Sequence, residues 1–315
     1  LRTRPIICCR EATSPKCSLH RARPFIEVPH PTVYRTIGRE TTLWDATPSA
    51  PAAALDYIED LLPDLAAHDL LNGSSPAEIR ARMRVATTLE EALVDAEHVQ
   101  ENTPEDVAQK REIFARLDGL ATPGAILASS TSAILPSKFT EGLKGRARCM
   151  VVHPINPPYL IPAAEVVPAP WTDPAAVRRT AAFLHAAGHA PIVMKREIDG
   201  FVMNRMQGAL LEEAFRLVAV EGYVSAEEVD IGIRDGLALR WSFMGPFETI
   251  DLNAPAGVRD YVERYQWAGP VLETVEAERR AKTPADALPD RQRWRDRRLM
   301  ALAAHKRRAA SDIGT

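Results

Sequence analysis

From residue 38 onward, short apolar runs alternate with longer stretches of helical spacing. Residues 41–45, TTLWD, read as a strand ending in an acid. An Ala/Leu-rich helix follows over 51–71, stopped by Asn72-Gly73. Residues 84–87 read as a second strand and 89–95 as a short helix, while 97–100 lead into a polar turn. Helical spacing returns over 105–117, with Val107, Ile113, Phe114 and Leu117 apolar. Residues 125–128, 148–152, 163–167 and 191–194 read as further strands, and 175–187 as a helix closed by Gly188. Strands alternating with helices predict a doubly wound, mostly parallel α/β sheet.

After Lys195 the pattern turns wholly helical. Residues 201–220 are apolar almost all round, which predicts a long buried helix. Ser225 with Glu228 has the spacing of a capping box and opens a helix to about Asp235. Gly245-Pro246 opens another, and residues 290–308 form a basic amphipathic helix. The division is therefore a sheet domain over 38–195 and an all-helical domain over 196–315.

Residues 1–37 fit neither pattern. They contain five prolines, three of the four cysteines and no glycine. They read as atypical and poorly structured, or as foreign to the rest of the fold, for instance a misassigned start or shifted frame joined at Gly38. A strand missing from the sheet there would expose its neighbours, which predicts poor solubility.

Composition narrows the function. The net charge of −3 offers no basic field for nucleic acid. No apolar run reaches the length needed to cross a membrane. Cysteines at 8, 9, 17 and 149 form neither a disulfide framework nor a four-ligand metal pattern, so a reducing, cytoplasmic setting is expected.

Candidate chemistry centres on residues 150–167, MVVHPINPPYLIPAAEVV. Val151-Val152-His153 reads as a buried strand presenting an imidazole at its end. Prolines at 154, 157, 158 and 162 forbid a helix between His153 and Glu165, so the two meet only through tertiary folding. A His held by a carboxylate makes a general base that works near neutral pH. A strand-end His beside an unrelated surface Glu fits the same spacing.

A parallel sheet invites a dinucleotide. Asp45 fits the acid that holds a ribose hydroxyl at the end of a second strand. The glycine-rich phosphate turn should lie about 20 residues earlier. No two glycines in the chain are spaced Gly-x-Gly, and the first glycine is Gly38. The first strand and its turn are therefore expected to be missing or aberrant.

Several long segments carry a resemblance. HPINPPYLIPAAEVVP at 153–168, EIDGFVMNRMQGALLEEAFRLV at 197–218 and DGLALRWSFMGPFET at 235–249 are the longest, and GRETTLWDA at 38–46 and ASSTSAILPSK at 128–138 agree. From Gly38 to about Arg308 the chain resembles the 3-hydroxyacyl-CoA dehydrogenase superfamily, in its lambda-crystallin and L-gulonate 3-dehydrogenase branch. The resemblance implies a Rossmann-like domain that binds NAD, a helical domain that forms a homodimer, and oxidation of a 3-hydroxyl. It implies His153 as base, Glu165 as its partner, and Ser132 and Asn204 as the groups holding the substrate oxygen. Glu105 and Lys110 fall where the family lines the nicotinamide side of the cofactor site. Read without the family, Ser132 caps a turn, Asn204 is a helix residue needing a polar partner, and Lys110 is a solvated helix residue.

Arg240 bears on the substrate. A guanidinium clamps a carboxylate through two parallel hydrogen bonds, which a free hydroxy acid offers and an acyl-CoA thioester does not. Arg240 in a surface salt bridge is the other reading. The expected substrate is a small 3-hydroxy acid such as L-gulonate, with short 3-hydroxyacyl-CoA or carnitine as runners-up. A non-catalytic, crystallin-like relative unable to bind NAD is the alternative from a different class.

Overall fold

The computed structural model describes residues 6–10, 40–220, 222–265 and 272–313. The chain divides into two compact units, residues 1–209 and 210–315.

The first unit is built on an eight-stranded sheet in the order β3-β2-β1-β4-β5-β6-β7-β8. Its strands are β1 (Ile6–Arg10), β2 (Glu40–Trp44), β3 (Met83–Val85), β4 (His98–Glu101), β5 (Ile126–Ser129), β6 (Cys149–Pro154), β7 (Ala163–Pro168) and β8 (Ala190–Val193). β2 and β3 are parallel, as are β4, β5 and β6 in succession and β7 with β8, while β6 and β7 are antiparallel. Helices connect them: α1 (Ala50–Ala67), α2 (Pro76–Ala81), α3 (Leu89–Leu93), α4 (Val107–Leu120), α5 (Ser137–Thr140) and α6 (Pro174–Ala186).

Alternation along the strands sends neighbouring side chains to opposite faces. Met150 and Val152 join the core beneath α1 and α6, with Ile58, Leu62 and Leu184. Val151 and Val167 join the core beneath α3 and α4, with Leu93, Phe114 and Leu117. Each such side chain contributes roughly 2 kcal/mol by leaving water. Local chemistry sets the helix starts. Asp106 caps α4 by accepting from Gln109 N at 2.8 Å, and Asp173 caps α6 by accepting from Ala175 N at 2.7 Å. α1 ends at Ala67, four residues before the end expected from sequence. Asp69 and Asn72 turn left-handed there, ahead of Gly73.

Two expectations about the sheet are corrected. Residues 97–100 read only as an approach to a turn, yet His98–Glu101 is a central strand. Its polar residues hide it from a hydrophobic count, and they are buried because each has a partner: the His98 ring stacks on Phe183 and Gln100 Nε2 donates to Val152 O at 2.9 Å. Nor is the slot between β2 and β4 left open. β1, from inside the atypical segment, fills it and runs antiparallel to both neighbours. Backbone hydrogen bonding is satisfied by either strand direction, so the reversal costs the sheet no ladder. The remainder of 1–37 lies outside the described residues.

The second unit is helical. α7 (Met203–Phe215) carries the chain into it, followed by α8 (Ala226–Ile231), α9 (Ala238–Trp241), α10 (Pro246–Asn253), α11 (Val258–Arg264), α12 (Leu272–Lys282) and α13 (Leu288–Ile313). The Ser225–Glu228 capping box forms, with Glu228 accepting from Ser225 N at 2.7 Å and Glu228 N donating to Ser225 Oγ at 3.3 Å. The expected burial of α7 does not hold. None of its residues is buried, and Phe215 is 68% exposed. Among the described residues no helix is long and apolar enough to cross a membrane.

Far from the ends of β4–β6 that carry the candidate site, Asp118 on α4 and Arg148 before β6 lock helix to strand. Arg148 Nη2 donates to Asp118 Oδ1 at 2.9 Å, and Gly145 N donates to Asp118 Oδ2 at 3.0 Å. A Cβ at Gly145 would fall on Asp118 Oδ1. Burial pushes the Asp118 carboxyl up, but the donated hydrogen bonds and the Arg148 charge outweigh it and hold the carboxyl below the usual range. A depressed carboxylate contributes its stability above its unfolded pKa of about 4 and loses it as pH falls through the folded value. Asp118→Asn is therefore expected to lower the unfolding free energy by about 2 kcal/mol near pH 7. The difference should shrink in urea melts repeated at progressively lower pH below about 4.

Candidate active site

β2, β4, β5 and β6 all end on one edge of the sheet, since β2 and β4 both run opposite to β1. That edge gathers Asp45 after β2, Glu101 and Glu105 at and after the end of β4, Ser129–Ser132 at and after the end of β5, and His153 near the end of β6. The crevice outside the carboxyl ends of the strands is where open α/β sheets bind ligands.

His153 and Glu165 are directly opposed in the antiparallel β6–β7 pair. The eight-residue loop between the strands sets that register and holds three of the four prolines. Side chains opposed across a strand pair lie on the same face. His153 Nδ1 meets Glu165 Oε2 at 2.7 Å, with Glu165 wholly buried. The other oxygen, Oε1, accepts from Val202 N at 2.7 Å and Met203 N at 2.9 Å, at the start of α7. Burial works to raise the Glu165 pKa. The hydrogen bonds from His153, Met203 N and Val202 N outweigh it and hold the carboxyl below its ordinary value. An ionised Glu165 accepts at Nδ1–H, so the neutral imidazole carries its lone pair on Nε2.

Ser132 and Asn204 are brought together. Asn204 Nδ2 donates to Ser132 O at 2.7 Å. Ser132 Oγ makes no hydrogen bond among the described residues. Asn204, read from sequence as a helix residue needing a partner, is exposed on the first turn of α7. Glu105 fixes the Ser132 loop from the other side. Its Oε1 accepts from Ser132 N at 2.6 Å and its Oε2 from Thr131 Oγ1 at 2.5 Å.

Lys110 is neither solvated nor open to a ligand. It is 1% exposed, and its ammonium donates to both Glu101 oxygens and to Thr103 O, each at 3.1 Å. Those three bonds use all its donors. Ser129 Oγ adds a 2.6 Å bond to Glu101. Glu101 and Ser129 escape a reading of the sequence, and the one signal for them is a carboxylate nine residues before a lysine that turns inward.

Arg240 lies on α9 in the second unit, half-buried, with no ion pair or hydrogen bond from its guanidinium among the described residues. The salt-bridge reading finds no carboxylate there. Among the described residues no group of three or more His, Cys, Asp or Glu is placed to hold a metal.

The NAD-binding domain model of 3-hydroxyacyl-CoA dehydrogenase matches residues 32–198, and that enzyme's C-terminal domain model matches 200–285. The chain belongs to the 3-hydroxyacyl-CoA dehydrogenase family. It is 40% identical to lambda-crystallin of Oryctolagus cuniculus over 288 residues, covering 86% of this chain and 90% of that one. It is 40% identical to L-carnitine dehydrogenase of Streptomyces coelicolor over 220 residues, covering 70% and 68%. Among solved structures, an NAD+-dependent dismutase, 5-formyl-3-hydroxy-2-methylpyridine 4-carboxylic acid 5-dehydrogenase, superposes with a TM-score of 0.66 at 25% identity, over 87% of this chain and 92% of that one.

This family member is an NAD-dependent dehydrogenase, and its residues fit the cofactor unequally. Asp45, the acid expected from sequence to meet the ribose, is buried just past β2 and accepts a hydrogen bond from Thr47 N. The phosphate end is different. β1 enters the sheet beside the ends of β2 and β4, with Ile6 level with Trp44 and Glu101. It leaves at the far edge, so no described turn from β1 reaches the phosphate position.

The Glu101–Lys110 pair yields a stability test. Lys110→Met strands a buried carboxylate and is expected to cost about 3–5 kcal/mol. The double variant Lys110→Met with Glu101→Gln should recover part of that loss in denaturant melts, and strict additivity of the two single effects would disprove the coupling.

Proposed function

We propose that this dehydrogenase oxidises the 3-hydroxyl of a small free hydroxy acid, L-gulonate or a relative of it, with His153 as general base. The 2.7 Å His153–Glu165 contact carries the reading, because it leaves Nε2 as the ring atom able to take the hydroxyl proton. As the imidazolium forms, its Nδ1–H stays bonded to an ionised, buried carboxylate, which stabilises the new charge. Ser132 Oγ and Asn204, held together at the same edge, are the groups assigned to the substrate oxygen. NAD, when bound, supplies the hydride acceptor.

Arg240 supports a free carboxylate on the substrate, since its guanidinium is uncommitted among the described residues. L-carnitine is the second candidate, favoured by the 40% identity to L-carnitine dehydrogenase. Both are 3-hydroxy acids with a free carboxylate, which a thioester of coenzyme A lacks. Exposed Met206, Leu210, Leu211 and Phe215 on α7 support a homodimer, since a helix apolar on several faces gains by burying them against a second copy.

The decisive assay is NAD reduction with L-gulonate, L-carnitine and 3-hydroxybutyryl-CoA in parallel. His153→Gln is expected to lower kcat for the preferred acid by about 10²–10⁴-fold. Arg240→Ala should raise KM for the acids by roughly tenfold or more while leaving the thioester unaffected. An unchanged KM for the acids would remove the clamp. Light scattering should give twice the chain mass, and Leu211→Glu should lower it toward one chain.

A further inference from the structure

We propose that Phe201 is the positioning residue of the His153–Glu165 pair: its left-handed backbone turns two consecutive amides onto one carboxylate oxygen, and its ring walls one side of the imidazole. The inference rests on the reading of His153 as the base, and it adds the element that holds that base in place.

The local conformation is unusual. Phe201 has φ +50°, a region that glycine enters freely and bulky side chains avoid. Gly200 before it has φ +76°, so two successive left-handed residues reverse the chain just ahead of α7. The turn is closed by Phe201 N donating to Ile198 O at 3.1 Å. It delivers the N–H groups of Val202 and Met203 side by side to Glu165 Oε1. These belong to the first orphan donors of a helix, which a local Ser, Thr, Asp or Asn ordinarily caps. Here the cap is a carboxylate from strand β7, 38 residues earlier than Met203.

Something must hold the disfavoured backbone in place. The Phe201 side chain is wholly buried, in the same core as Val151 and Val167. Its ring centroid lies 5.7 Å from that of His153, tilted by 55°. Burial of the ring fixes the left-handed turn, and the turn fixes the amides. The amides fix Glu165 Oε1, which leaves Oε2 aimed at Nδ1. With both oxygens engaged the carboxylate cannot rotate, and the imidazole is kept in one orientation and one tautomer. His153 is the only titratable side chain hydrogen-bonded to Glu165 among the described residues. Strained backbone of this kind persists where the surroundings over-determine it, and it clusters at functional sites.

Two substitutions separate conformation from bulk. Phe201→Val keeps a smaller apolar side chain, but it is β-branched and resists the left-handed region. Phe201→Gly deletes the ring and accepts that region without cost. If Phe201 only filled space, Gly would be the more damaging. The proposal predicts the opposite order at the site. The low-field Nδ1–H resonance of His153, followed by NMR on the full chain without cofactor, should be strongest in the wild type, weaker in Phe201→Gly, where the turn is allowed but no ring holds it, and absent in Phe201→Val. In the assay with the preferred 3-hydroxy acid, kcat should fall roughly tenfold further for Val than for Gly, with KM within about twofold. A Val variant that keeps both the resonance and kcat overturns the assignment.

Should Phe201→Val fail to fold, the wild-type protein decides. The Val202 and Met203 amide resonances should move together with the His153 titration, because all three groups share one carboxylate. Amides that ignore that titration overturn the proposal. An active His153→Gln would instead defeat the reading of the base without bearing on the wild-type resonance pattern, so the two failures are distinguishable.

Discussion

The register of two antiparallel strands is the constraint on which the site depends. β6 and β7 pair so that His153 faces Glu165, and a slip of β7 by one residue would turn Glu165 to the other face of the sheet, away from His153. Met150, Val152, Ala164 and Val166 on one face and Val151 and Val167 on the other hold that register, since a slip would move the slipped strand's residues each to the wrong core. The geometry of the candidate site is thus a by-product of ordinary strand packing. The start of α7 then adds what strands cannot: two amide donors that keep the buried carboxylate ionised.

A second polar network lies alongside. Glu101 and Glu105, at and just after the end of β4, bind the loop beyond β5 through Ser129, Thr131 and Ser132. Lys110 neutralises Glu101 from α4. Through Ser132 the network reaches Asn204, so the loop after β5 is clasped from the sheet side and from α7. Buried networks of this kind specify one arrangement because each unsatisfied member would be costly. A buried lysine next to the cofactor domain's open edge therefore serves to rigidify that edge.

β1 departs from the doubly wound pattern. A central slot in a sheet demands a strand, because both neighbours present unpaired donors and acceptors. It does not demand a direction. The reversed β1 satisfies the ladders on both sides, yet its last residue, Arg10, lies at the edge opposite the site. Sheet integrity and the phosphate-binding turn are separate requirements, and β1 meets the first.

Period and punctuation in the sequence determined most of the fold. Strands 40–44, 126–129, 149–154, 163–168 and 190–193, the helices between them and the Ser225–Glu228 cap all obey local rules of alternation, helical spacing and capping. His153 and Glu165 were legible because prolines exclude a helix between them and because long segments match a known family. Tertiary structure alone decided the rest. β4 hides behind polar residues whose burial depends on distant partners, Val152 for Gln100 and Phe183 for His98. Lys110 looks solvated until Glu101 is found against it. α7, apolar on several faces, looks buried until its surroundings are known. Phe201 looks like core, since a left-handed backbone leaves no mark on composition or period. These features depend on contacts distant in sequence, which local spacing does not encode.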